Sequence, residues 1–188
     1  MIDSEVRKAG KVVLSGGIIL YPTDSIWGIG CDATKHEAVQ KIYDVKQRND
    51  SKSMLVLVNG VKMLKQYLNE IPPQALELIG KAKKPTTIIY PGARHLASNL
   101  VAEDGSVGIR ITSDPFCQKL IEFTGKPIVS TSANISGELS PALFSEILPQ
   151  IRRQVDHVVN WRQDETDPSS PSAIIKLKAG GGMTILRP

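Results

Sequence analysis

A chain of 188 residues, 41% of them hydrophobic, can enclose a sizeable core and buries roughly 70% of its unfolded surface at this length. Lys and Arg outnumber Asp and Glu by 23 to 19, a mild excess that suits an anionic ligand without requiring one, while 5% aromatic residues argue against a stacking platform for single-stranded nucleic acid. Two cysteines, Cys31 and Cys117, exclude a disulfide framework and fit a cytoplasmic protein, and no apolar run approaches the ~20 residues that cross a bilayer.

Ser4 is positioned to cap a first helix with Val6, Ala9, Val13 and Leu14 on its apolar side, ended by Gly16-Gly17. Ile18 to Tyr21 reads as a short buried strand. Thr34 and Glu37 have capping-box spacing before a helix whose apolar face holds Ala38, Val39, Ile42 and Tyr43. Met54 to Val58 is a second buried strand, followed by helical stretches at Val61 to Leu68 and Pro73 to Gly80. Thr87 to Tyr90, Val107 to Ile111 and Ile128 to Val129 read as strands, and Pro115 opens a helix to about Phe123. Phe144 to Ile151 reads as helix, and His157 to Asn160, Ala173 to Leu177 and Thr184 to Leu186 as late strands, the last two joined by a glycine turn. Arg162 to Ser172 is polar and proline-bearing, a surface loop. Alternating helices and strands with consecutive late strands predict an α/β fold with a mixed sheet in one domain, residues 1–188.

Four segments carry chemistry. In "YPTDSIWGIG", Tyr21 to Gly30, Thr23 and Ser25 offer hydroxyls and two glycines allow close approach; the alternative is a turn with Trp27 packed in the core. In "KQRNDSKS", Lys46, Arg48 and Lys52 bring cations to the end of a sheet, or form a solvated basic loop. "GIRIT" places Arg110 within an apolar strand, where it needs a partner: a substrate carboxylate or an internal acid. "STSANISG", Ser130 to Gly137, is polar and uncharged. A serine nucleophile needs an oriented base; His36, His95 and His157 share no signature with it, and no G-x-S-x-G elbow occurs. Phosphate-binding glycine motifs and zinc-ligand spacings are absent too. Polar hydroxyls plus cations describe a site that positions substrates and neutralises phosphate.

In order along the chain, "GGIILYPTDSIWGIGCDA", "IYDVKQR...K", "VGIRI", "PIVSTSANISG", "PSAIIKL" and "ILRP" closely resemble the YrdC-like family of threonylcarbamoyl-AMP synthases, from about Gly16 to Pro188. The resemblance implies a twisted mixed sheet flanked by helices around a large, concave, basic groove. It implies that L-threonine, bicarbonate (or CO2) and ATP, with Mg2+, give threonylcarbamoyl-AMP and pyrophosphate. The product serves the threonylcarbamoyl modification at position 37 of ANN-decoding tRNAs, with other proteins as partners. It further implies that Ser25, Arg110, Ser132 and Ser172 bind threonine, and that Lys46, Arg48, Lys52, Ser106, Asn134, Ser140 and Arg187 bind ATP. Ser130 and Ser136 are read as satisfying local backbone only.

Several positions depart from the family pattern: Ser25 for Thr, Ser53 for Pro, Lys83-Lys84-Pro85 for Pro-Gly-Pro, Thr112 for Pro, and Ala142 and Ala173 for Thr. The ending just after "LRP" matches the short, single-domain form. Two alternatives remain beside the synthase: a module contacting tRNA or double-stranded RNA in RNA or ribosome maturation, and a carbamoyl-handling domain like those of hydrogenase-maturation proteins. The small uncharged side chains weigh against the first, because a nonspecific nucleic-acid binder gains from Lys and Arg. The second normally sits in a much longer chain.

Overall fold

The computed structural model describes residues 1–47, 54–178 and 181–188. Helix α1 (Ile2–Leu14) buries Val6, Ala9 and Val13 as its periodicity predicts, but it starts at Ile2 with no side-chain cap, so Ser4 lies inside it. Leu14 is exposed, beyond the buried stripe. Gly16 leaves the helix with φ 83°, and β1 (Ile19–Tyr21) follows, pairing with the unanticipated strand β2 (Gly28–Gly30). The turn between them is the "PTDSIW" segment.

Helix α2 (His36–Lys46) lacks the expected capping box. The Thr34 N–H and hydroxyl both donate to Asp32 Oδ1, so Asp32 makes a local turn that Thr34 cannot leave to cap the helix. Then come β3 (Leu55–Val58), a single turn α3 (Val61–Leu64), α4 (Pro73–Lys81) and β4 (Thr86–Tyr90). Strand β5 (Val107–Ile111) leads to α5 (Pro115–Thr124), capped by Asp114, whose carboxylate accepts from the Cys117 N–H. Strand β6 (Ile128–Ser132) runs three residues past its expected end. The helix expected over 144–151 is split: a 3-10 turn at Phe144–Glu146, then α6 (Pro149–Gln154), because Pro149 lacks the N–H a continuous helix needs there. Strands β7 (His157–Val158), β8 (Ala173–Lys178) and β9 (Gly182–Arg187) complete the chain.

The strands form one mixed sheet in the order β7-β1-β2-β6-β3-β5-β4-β8-β9. β1/β7, β3/β5 and β4/β8 are parallel, and the other neighbours antiparallel. The α/β mixed sheet flanked by helices is the architecture that the sequence predicts.

Alternation along the strands decides which face is covered. Leu20, Val56, Val58, Ile88, Ile109 and Val129 join α2 in the larger core. The opposite face carries Ile19, Tyr21, Leu57 and Ile128, covered by α1 and α5. Those two helices reach only part of it. Beyond them, the same face presents Ser130 and Ser132 of β6, Gly108 and Arg110 of β5, Thr87 and Ile89 of β4 and Ile174 of β8, which line an open groove.

Candidate functional site

The groove floor is sheet, and its walls are the β1–β2 turn, the segment after β6 and the loop entering β8. Its lining includes Ser25, Trp27, Gly28, Ser130, Thr131, Ser132, Ser140, Ser172, Arg110 and Arg187. Small residues keep the floor low. A Cβ on Gly28 would stand 2.9 Å from Ser130 Oγ, so a side chain there would have to displace that hydroxyl. Trp27 is buried in the larger core, as one reading of the sequence had it, its ring centroid 4.7 Å from that of Phe144, and it also lines the groove.

Arg110 is 2% exposed, and its Nη2 lies 3.0 Å from Asp24 Oδ1. Of the two partners the sequence allowed, the internal acid is therefore present. The pairing does not exhaust the guanidinium, since its buried Nε has no hydrogen-bond partner. Arg187, at the end of β9, donates from Nε to the Ser172 carbonyl at 2.6 Å, and its Nη2 lies 3.4 Å from Ser172 Oγ. Burial, and next the charge of Arg110, pull the Arg187 pKa down. Two guanidinium groups near one another, in a lining with no carboxylate among its described residues, leave room for an anion.

Hydroxyls supply the rest of the polarity. Ser25 Oγ is 3.1 Å from Thr23 Oγ1, which also accepts from the Ser25 N–H and donates to the Ile26 carbonyl. Ser172 Oγ is 2.9 Å from Thr87 Oγ1. These bonds fix the side chains before any ligand arrives.

The "SANISG" segment is braced from below. Lys46, 1% exposed at the end of α2, donates from Nζ to the carbonyls of Ser132 and Asn134, and its own carbonyl accepts from the Ser136 N–H. Asn134 turns inward, its amide donating to the Ile135 and Glu138 carbonyls. Ser106 bonds Asp104 and does not line the groove. Of the expected site residues, the structure thus brings Ser25, Arg110, Ser132, Ser140, Ser172 and Arg187 together around one groove. Lys46 and Asn134 support its wall, Ser106 stands apart, and Arg48 and Lys52 lie outside the described residues. Sequence reasoning did not single out Thr87, Thr131 or the partner Asp24, and it assigned Ser130 to local backbone although it lies in the lining. For Thr87 and Ser130 the available signal was alternation, which puts them on the face of Arg110.

The profile of the Sua5/YciO/YrdC family, described as "Telomere recombination", matches residues 11–188. The chain belongs to this family. A relative from Stutzerimonas stutzeri (strain A1501), named threonylcarbamoyl-AMP synthase, is 30% identical over 187 residues, which is 99% of this chain and 98% of the relative. A solved P. abyssi Sua5 carrying a double substitution has TM-score 0.88 and 25% identity over 97% of this chain. P. abyssi Sua5 complexed with L-threonine has TM-score 0.86 and 23% identity, again over 97% of this chain, a likeness of fold. The chain spans about half the length of these two Sua5 chains, 56% and 53%.

Proposed function

We infer that the protein is a threonylcarbamoyl-AMP synthase, joining L-threonine, bicarbonate (or CO2) and ATP. The observation that carries this is the end-to-end correspondence, 99% of one chain with 98% of the other, to the relative of that name. The groove suits the chemistry because the substrates supply the nucleophile. The threonine ammonium gives up a proton to solvent, its amine bonds to the carbon of CO2 as one C=O π bond opens onto oxygen, and loss of a second N–H proton to solvent leaves the carbamate. A carbamate oxygen then attacks the α-phosphorus of ATP, and the bond to the β,γ-diphosphate breaks to release pyrophosphate. The protein's task is to hold the reactants in line and offset charge.

In this reading the free edge of the Arg110 guanidinium takes the threonine carboxylate, with Ser25, Ser132 and Ser172 around the amino acid. Arg187, Ser140 and the basic segment holding Arg48 and Lys52 take the nucleotide, with Lys46 and Asn134 shaping the wall between the two. Ser106 reaches ATP only if its bond to Asp104 is exchanged. Magnesium would accompany the phosphates. No metal-binding cluster of three His, Cys, Asp or Glu side chains occurs among the described residues. The lining offers hydroxyls such as Ser132 and Ser140, a donor set that suits an ion held mainly by phosphate and water. The product is an activated carbamate, to be consumed by proteins that transfer it to tRNA in the cytoplasm.

Isotope transfer tests this. With labelled bicarbonate, L-threonine and ATP, the label is expected in an adenylate that also contains threonine. Label confined to bicarbonate after prolonged incubation, while ATP is otherwise bound normally, would contradict it.

A further inference from the structure

We propose that Arg162, in the loop before β8, is a positioning residue that holds the substrate-binding hydroxyl of Ser25 in place; this rests on the synthase reading above. The sequence shows Arg162 only as the start of a polar loop. In the fold, its Nη1 donates to the Thr23 carbonyl at 3.1 Å and to Asp114 Oδ2 at 2.7 Å, while its Nε donates to Glu165 Oε1 at 2.6 Å. One guanidinium thereby ties three segments: the β1–β2 turn, the N-cap of α5 and its own loop.

The turn it holds is the one that matters for the groove. Thr23 is 1% exposed, and its hydroxyl is the anchor of both the N–H and the side chain of Ser25. The link from Arg162 to a groove-lining hydroxyl is thus only two residues long. Neighbouring bonds extend the same brace. The Ser113 N–H donates to Asp24 Oδ2, whose other oxygen faces Arg110, and Asp114 receives both Arg162 and the first turn of α5. At its far end the loop is tied by the Ser169 N–H to the Ala142 carbonyl and by Arg187 to Ser172.

Two features mark Arg162 as built for this place. Its φ of 61° is left-handed, a conformation that a residue other than glycine keeps only when its surroundings enforce it. Burial pulls its pKa down, yet the hydrogen bond to Glu165 and the charge of Asp114 outweigh that and raise it, so the guanidinium stays charged. Arg162 touches no reacting atom in this account and acts through Thr23.

The test is steady-state kinetics of Arg162→Ala and Arg162→Lys beside the unaltered protein, with calorimetric binding of L-threonine to each. For Arg162→Ala, the KM and Kd for L-threonine are expected to rise by about 10-fold or more, a typical loss when a supporting partner goes, with the KM for ATP within about 2-fold. Arg162→Lys is expected to recover most of this, because the bonds to Thr23 and Asp114 leave from one nitrogen, which an ammonium can replace. An unchanged threonine Kd in Arg162→Ala overturns the inference. So does an equal rise in both KM values with no recovery in Arg162→Lys, which marks general loosening. If the unaltered protein itself neither binds threonine nor releases pyrophosphate, the synthase reading fails and takes this inference with it; an active parent with unaffected variants fails the inference alone.

Discussion

Arg110 shows how one side chain can serve stability and, in the proposed reading, binding. A guanidinium buried in the middle of β5 must be paired, and Asp24 pairs it through one terminal nitrogen. The orphaned Nε keeps some of its capacity for a second anion. A lysine at this position would keep the charge and lose the planar fork. Arg110→Lys is therefore expected to lower kcat/KM for L-threonine by roughly 10- to 100-fold, the scale of a lost charge-assisted hydrogen bond, with little change in KM for ATP. Initial-rate measurements with each substrate varied in turn check this, and equal losses for both substrates would contradict it. The sequence showed that Arg110 needs a partner but left open which. Asp24 lies 86 positions away in the chain, and no local periodicity reports such a pairing. Arg162 was hidden for the same reason: its partners Thr23 and Asp114 are distant in sequence, and its own neighbours read as ordinary polar loop.

At the scale of elements, strands with apolar alternation were legible, and elements shaped by local side-chain competition were not. Strands β1, β3, β4, β5 and β8 lie where the apolar runs put them. β2 went unseen because Gly28-Ile29-Gly30 is short and rich in a residue that weakens strand signals. The Thr34 cap failed because Asp32 captures its N–H and hydroxyl.

Helix α1 is fastened to the sheet by a contact that periodicity also hides. Glu5 is 4% exposed; its Oε1 accepts from Lys8 at 2.8 Å and its Oε2 from the Asn160 N–H at 2.8 Å, with His157 Nε2 at 3.3 Å. Burial alone would push its pKa up, but Lys8, the Asn160 N–H and His157 together hold it below the ordinary glutamate value. The unfolded chain therefore takes up the proton more readily. The stabilisation is present above the unfolded pKa of about 4.3 and is lost as pH falls through the lower folded value. Glu5→Gln is expected to cost about 1–2 kcal/mol at pH 7, with the difference from the unaltered protein shrinking once the pH drops below about 4. Urea unfolding at a series of pH values reads this, and a difference independent of pH would contradict it.

Over the whole molecule, the groove exists because two helices cover only part of one sheet face. α1 and α5 pack on Ile19, Tyr21, Leu57 and Ile128, and the remainder of that face is left open as the groove. Alternation made the two faces legible; the extent of helix cover depends on tertiary packing and was not. The order of motifs along the chain identified the family, and the fold explains why order mattered: the strands and turns that carry the groove's lining are scattered from Ser25 to Arg187 and meet only in the sheet. In the reading proposed above, such a groove assembles reactants, and the substrates supply the nucleophile. The most direct test of that claim is pyrophosphate release from ATP by the purified protein, with each other substrate omitted in turn. Release is predicted only when bicarbonate and an amino-acid substrate are both present, strongly with L-threonine and much more weakly with L-serine in its place. Release from ATP that is indifferent to threonine or to bicarbonate, or none with all three, would contradict it.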